Sequence, residues 1–398
     1  MAEQRIVVSG MGVVSALGNH VQAHLDALRT AKHGISMTNY LETIHKDRFP
    51  VGEIKHSNQE LIALLNLPEG AYSRTELLGL FAVRQLLDSV NYEMDNRTGL
   101  ISATTVGGMD QSEHFFEDYL KGLNLDYARR HPLGESTEFM ASQVGIKAFR
   151  TTLSTACSSS ANAMILGARL IHQGVLDKVI VGGVDALSKF TVNGFNSLMI
   201  LDKEHCKPFD NERQGLNLGE AAAFLLIETE ESARKAGRKI WSELKGYANT
   251  NDAYHQTASS PEGDGAFDAM NQALQKAGLQ MSDMDYVNAH GTGTANNDLA
   301  ESRALQRLFG DDKIPFSSTK AYTGHTLGAA GAIEAVISNL CINHKFIPAS
   351  LNCKNPMEEV DIFPETTMIE VEKMDYILSN SFGFGGNNSA LIFSSVKN

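Results

Sequence analysis

The chain has 398 residues, 42% of them hydrophobic and 20% charged, with a formal net charge of −13 and four cysteines. That length exceeds a single small core and points to two or three domains. The acidic balance excludes nucleic acid as a bulk partner and disfavours an anionic membrane, since both need a basic surface. No window is apolar for long enough to span a bilayer, and four cysteines without C-x-x-C spacing are too few for a disulfide framework. Met1–Arg5 carries no basic-then-apolar leader, so the expectation is a reducing, cytoplasmic setting.

In chain order, Arg5–Val8 reads as a buried strand leading into Ser9-Gly10-Met11-Gly12-Val13-Val14-Ser15. That stretch approaches a dinucleotide fingerprint, but Ser15 stands where the third glycine belongs, and a tight strand–turn is the better reading. Apolar spacing predicts helices over 20–31 and 75–90. A strand over 99–108 ends in glycines, Arg129-Arg130-His131-Pro132 forms a basic loop, and a helix follows over 138–144. Ser154-Thr155-Ala156-Cys157-Ser158-Ser159-Ser160 then opens a long apolar run to Ile171.

Serine and threonine favour helix starts, because their hydroxyls accept the free N–H groups of the first turn. Cys157 is expected at such a start, where those N–H groups and the helix dipole would lower its pKa from about 8.5. By itself a buried cysteine is ordinarily a small hydrophobe. Further strands are expected over 178–183, 221–227 and 241–248, with 189–215 left as loop and a surface helix over 230–237. In the second half, 265–277 reads as a helix and 285–289 as a strand ending at His290. Asn297-Asp298 would cap the helix 299–309, and another helix would begin near Gly324-His325 and run to Leu340. Two strands, 376–381 and 389–393, flank the glycine turn 382–388. The alternation of helices and apolar strands means an α/β protein with buried sheet. The two halves, 1–237 and 238–398, follow the same order, each with a small-residue helix headed by a reactive side chain.

The reactive candidates stand at element ends among small residues: Cys157, His290 and His325. The turn Phe382–Asn388 adds backbone N–H groups that could face a developing oxyanion. Thr-Ala-Cys-Ser-Ser, Asn288-Ala-His-Gly-Thr-Gly-Thr294, Lys320-Ala-Tyr-Thr-Gly-His325 with its Gly-Ala-Ala-Gly, and Gly383-Phe-Gly-Gly-Asn-Asn388 occur in one order along the whole chain. In these motifs the chain resembles the β-ketoacyl-acyl carrier protein synthases of the elongating Cys-His-His type.

The resemblance implies a thiolase-like fold of two pseudo-symmetric βαβαβαββ halves in α-β-α-β-α layers. It also implies the site. Cys157 would carry the acyl chain as a thioester. His290 and His325 would donate to the thioester carbonyl of a malonyl carrier protein, and the resulting enolate would attack acyl-Cys157. Cys157 and Phe384 backbone N–H groups would form the oxyanion hole. Lys320 would order the second histidine with Glu334 as its acidic partner, and Thr292 and Thr294 would bind the pantetheine arm. Phe384 would also gate the acyl tunnel, and Phe195 and Asn388 would join the substrate site. Asp298 and Glu301 would be structural.

No cofactor or metal is implied, because substrates arrive on the phosphopantetheine of acyl carrier protein. Arg74, Arg129 and Arg130 are candidate contacts for that acidic carrier. A homodimer is implied, and a heterodimer with a ketosynthase-like subunit is also compatible. A thiolase would need a second cysteine in the final turn, an initiating enzyme would have Asn for the second His, and a non-elongating chain-length-factor subunit would lack Cys157. Some positions depart from the usual pattern. Asn387 stands where Thr is common and Met199 where Arg is common, and the loop 193–210 is short. Those departures leave room for a specialised polyene or polyketide substrate.

Overall fold

The computed structural model describes residues 4–90, 92, 95–310 and 312–396. Its strands in chain order are β1 (Ile6–Ser15), β2 (Thr98–Ala103), β3 (Arg150–Leu153), β4 (Lys178–Asp185), β5 (Ala221–Thr229) and β6 (Ser242–Asn251). The second half adds β7 (Tyr286–Asn288), β8 (Phe316–Ser317), the small ribbon β9 (Phe346–Ile347) and β10 (Ile369–Glu370), then β11 (Tyr376–Gly383) and β12 (Asn387–Ser394). Ten of them form one mixed sheet in the order β3-β2-β4-β5-β1-β6-β12-β11-β7-β8. That order reads the same outward from the β1–β6 junction, where Val7 and Val8 pair with Glu243 and Ser242. In each half the outer strands run parallel, β2 with β3 and β4, β7 with β8 and β11. The inner ones are antiparallel.

Two central helices, Ser159–His172 and Ala330–His344, pack against each other between the two halves of the sheet. Helices Arg74–Val90 and Leu133–Val144 cover the outer face of one half, and Asp264–Ala277 with Ala295–Phe309 cover the other. The result is a thiolase-like α-β-α-β-α layering. Helix Ala330–His344 is buried from Ala330 to Ile342, its polar Glu334, Ser338 and Asn339 included. Ala161, Met164, Ala168, Ala332, Ile333 and Val336 share one core with the inner faces of β4, β5, β11 and β12. Small residues permit this contact: a Cβ on Gly331 would lie 3.0 Å from Ala161 N and 2.9 Å from Ser381 Oγ.

The glycines of the opening stretch are neither a turn nor a nucleotide loop. β1 continues through Ser15, and a Cβ on Gly12 would sit 2.0 Å from Ala82 O on the covering helix. Other boundaries also move. The stretch expected as loop contains the helix Lys189–Ser197. The helix expected from Gly324 is broken into Lys320–Thr323, the 3₁₀ turn Leu327–Ala329 and Ala330–His344. Filling the central contact should be costly: Gly331→Val is expected to lower unfolding stability by about 2–3 kcal/mol, read as a shift of the denaturant midpoint.

Candidate active site

Cys157 lies on a sharp turn before the central helix. Ala156 adopts the left-handed φ of 52°, and the helix begins only at Ser159. The expected hydroxyl cap is absent, since Ser158 makes no side-chain cap bond. Instead Ser159 Oγ accepts Thr155 N–H at 2.8 Å and donates to Ala156 O, which holds the turn closed.

His325 comes from the other half. Gly324 precedes it with a φ of 75°, and a Cβ there would meet Leu218 O at 2.7 Å. His325 N–H donates to Asn217 O at 2.7 Å, and Gly219 N–H donates to His325 O at 2.9 Å, which fixes the backbone beside Cys157. The two heads meet: His325 Nε2 is 3.0 Å from Cys157 Sγ.

His290 follows β7 on a loop whose N–H groups are held by two buried carboxylates of helix Ala295–Phe309. Glu301 accepts His290 N–H and Gly291 N–H, both at 2.8 Å. Asp298 accepts Thr292 N–H at 2.9 Å and Phe209 N–H at 2.8 Å. Asp298 therefore does not cap the helix, which starts earlier, at Ala295. The rings of His290 and His325 lie 5.4 Å apart and nearly perpendicular.

Lys320, 2% exposed, holds the first histidine and not the second: it donates to His290 O at 2.6 Å, lies 3.2 Å from His290 Nδ1 and is ion-paired with buried Glu334. An ammonium has protons only to give, so His290 Nδ1 must accept, and the remaining proton sits on Nε2.

The electrostatics correct one expectation. Burial pushes the Cys157 thiol up to about 11, although the Lys320 charge and the Phe384 and Cys157 N–H groups pull it down. Two N–H groups and a short distance to a helix start do not offset full desolvation. Burial, with the Lys320 cation, also holds both histidines well below the ordinary value. At neutral pH the resting site is therefore a thiol with two neutral imidazoles, each able to donate from a ring nitrogen.

Cys157, His290 and His325 line a cavity of about 300 Å³ together with Phe195, Met199, Arg213, Thr292, Thr294, Phe382 and Phe384. Phe195 stacks on Phe384 with centroids 5.9 Å apart. Thr292 and Thr294 hydroxyls are 2.9 Å apart on the cavity wall. Exposed Met199, at a left-handed φ of 58°, also lines it.

Asn388 and Glu334 do not face the cavity. Asn388 is buried and donates to Asp252 Oδ1 at 2.6 Å and to Gly386 O at 3.0 Å, so it supports the Phe384 turn rather than a ligand. Arg74 is not a surface contact: it is buried and paired with Glu220 through Nη2 at 2.6 Å and Nε at 2.8 Å. Arg130 pairs with buried Glu76 at 2.9 Å, and Arg129 is exposed beside Asp126. Sequence reading had no signal for Asp185, which accepts Thr104, Thr105 and Gly328 donors and so braces the turn after His325.

One ring nitrogen of each histidine and Cys157 Sγ lie within 4.8 Å of one another. No carboxylate belongs to that group, and the Nδ1 of His290 already faces the Lys320 ammonium at 3.2 Å.

A buried thiol, two neutral imidazoles and backbone N–H donors around one sulfur define an acyl-transferring condensing enzyme. The comparisons agree. Models described as "Beta-ketoacyl synthase, N-terminal domain" and "Beta-ketoacyl synthase, C-terminal domain" match residues 3–233 and 241–354. The chain belongs to the β-ketoacyl synthase family.

It is 31% identical over 416 residues to a 3-oxoacyl-[acyl-carrier-protein] synthase 2 of Coxiella burnetii, covering 100% of both chains. It is 32% identical over 409 residues to that of Staphylococcus aureus strain COL, covering 98% of each. Among solved structures it resembles the ishigamide ketosynthase/chain length factor, with TM-score 0.92, 28% identity and 100% of both chains covered. It also resembles a ketosynthase in complex with its chain length factor from Xenorhabdus doucetiae, with TM-score 0.84, 33% identity, and 99% of this chain and 98% of that one covered. Enzymes of this family act on carrier-bound substrates and need no free cofactor.

The Lys320 geometry yields a pH test. In Lys320→Met the cation that lowers the His290 pKa is gone, so His290 protonates at higher pH. The acid limb of the decarboxylation pH profile should move upward. The thiol pKa should rise as well, and iodoacetamide alkylation of Cys157 should be slower than in the parent at every pH up to 9.

Proposed function

We propose that the chain is a β-ketoacyl-acyl carrier protein synthase that joins an acyl group on Cys157 to a malonyl unit with loss of CO2. The observation that carries this is the 3.0 Å contact between His325 Nε2 and Cys157 Sγ at the floor of a cavity lined by Thr292 and Thr294.

In the first half-reaction, Cys157 sulfur attacks the carrier thioester carbonyl, with its proton passing toward His325. The oxyanion is received by the Cys157 and Phe384 N–H groups, each worth about 10²–10³ in rate. The pantetheine thiolate leaves and is protonated. In the second, a malonyl thioester replaces it with its carbonyl on His290 and His325. The C–CO2⁻ bond breaks and the electron pair becomes an enolate, whose charge the neutral imidazoles favour over the ground state. The enolate carbon then attacks the acyl-Cys157 carbonyl. The C–S bond breaks and the Cys157 thiolate takes a proton from solvent, its own having left with the pantetheine thiol. Lys320 and Glu334 act by positioning, and Phe195 with Phe384 screens the sulfur from the acyl channel.

The family assignment and the site also support two functional halves, 1–237 and 238–398, one supplying the nucleophile and the other both histidines.

A second chain is part of this reading. β3 is half-buried along its length at one edge of the sheet, and exposed Phe116, Tyr119, Leu120, Leu123 and Leu125 lie on the following stretch from β2. An open strand edge and a run of exposed apolar side chains each favour pairing with another chain. The Xenorhabdus doucetiae neighbour, which pairs with a chain length factor, supports a ketosynthase-like subunit as that partner. All four cysteines are free and buried, which fits a reducing, cytoplasmic setting.

Cys157→Ala should abolish condensation and covalent acyl loading, read by intact mass, while malonyl decarboxylation persists. Condensation at the parental rate in that variant would overturn the assignment. Native mass of the chain alone and co-expressed with a ketosynthase-like subunit should give a two-chain assembly in at least one case.

A further inference from the structure

Asn387 ends the glycine turn, where it pairs with Gly383 across the hairpin of β11 and β12. It does not line the cavity. Its Oδ1 instead faces three donors on two stretches of chain, the elbow and first helical turn 158–162 and β6. Ser158 Oγ, beside the nucleophile, is at 2.8 Å and shares its one proton with Thr155 O at the same distance; Asn162 Nδ2 on the central helix is at 3.0 Å, and Asn249 Nδ2 on β6 at 2.8 Å.

The network extends outward from there. Asn162 Nδ2 also reaches Thr155 Oγ1 at 2.9 Å, Ser389 Oγ donates to Asn162 Oδ1 at 2.9 Å, and Asn249 Nδ2 reaches Ser389 Oγ at 2.9 Å. The amide orientation follows from these partners. Exchanging Oδ1 and Nδ2 of Asn387 would turn an NH2 group toward the NH2 groups of Asn162 and Asn249.

The two oxyanion donors belong to segments with no covalent link nearby. Cys157 N–H follows the left-handed Ala156, and Phe384 N–H opens the 3₁₀ turn Phe384–Gly386. Their spacing needs both a stop and a latch. Gly383 is the stop, because a Cβ there would already be 3.0 Å from Cys157 N. We propose that Asn387 is the latch: a positioning residue that draws the Phe384 turn onto the Cys157 elbow and sets the width of the oxyanion hole. A threonine at this place has a shorter side chain whose oxygen also carries a proton, so it offers these donors no pure acceptor at the same reach. Acyl transfer to Cys157 depends on that width, whereas malonyl decarboxylation depends on His290 and His325, which Asn387 does not touch.

The inference rests on Cys157 as acyl acceptor, and the Cys157→Ala experiment tests that reading separately. Its own test uses the full chain with Asn387→Leu, which keeps the size and removes the acceptor, and Asn387→Asp, which keeps the acceptor. Single-turnover acyl loading from acyl carrier protein is measured beside malonyl decarboxylation. Asn387→Leu should load at least about tenfold more slowly, part of the value of one oxyanion donor. Its decarboxylation should stay within about twofold, and Asn387→Asp should recover loading to within about threefold of the parent. Parental loading in Asn387→Leu would overturn the proposal. So would an equal loss in both steps, or Asp failing as badly as Leu. Should the leucine variant not fold, Asn387→Thr replaces it, and parental loading there would be equally fatal.

Discussion

The structure depends on how closely two helices can approach at its centre. Gly331 against Ala161, with Ser160 Oγ accepting Ala332 N–H at 2.9 Å, brings the heads of helices Ser159–His172 and Ala330–His344 together. Each head continues backward into a constrained turn, through Ala156 on one side and Gly324 on the other. Those turns carry Cys157 and His325. A side chain larger than alanine at the crossing would separate the helices and, with them, the sulfur and the imidazole. Packing density therefore sets the catalytic distance directly.

Deep burial is the second constraint, and it governs charge. A carboxylate or thiolate this far from water is stabilised only by nearby donors and cations, and desolvation wins at Cys157. Lys320, a cation kept at the centre, is held between Glu334 and His290. Burial keeps both histidines neutral, Lys320 adds to that, and its contact with Nδ1 fixes the tautomer of His290. Neutral donors suit a reaction in which negative charge appears only transiently, because a resting cation would bind the substrate carboxylate in the ground state as well.

Much of the site was legible in the sequence, for a physical reason. Cys157, His290, His325, Lys320 and Phe384 stand among glycines, alanines and threonines, because close backbone approach and tight turns tolerate little else. The charged periphery was not legible. Arg74 and Arg130 read as surface because isolated arginines usually are, yet each is matched to a buried carboxylate, Glu220 or Glu76, far away in the chain. The helix Lys189–Ser197 was hidden in a stretch read as loop. The break after His325 was missed because a run of small residues looks helical whether or not its backbone hydrogen bonds are diverted to Asn217 and Gly219.

By itself the sequence determined the alternation of elements, the small-residue central helices and the chemical identity of the reacting groups. These are local properties of composition and spacing. Tertiary structure decided which groups meet, which arginines are neutralised, and that Cys157 rests as a thiol. It also decided that one Asn387 oxygen links the Cys157 elbow and its helix to β6. Those outcomes depend on desolvation and on contacts between residues distant in the chain, and a one-dimensional pattern contains neither.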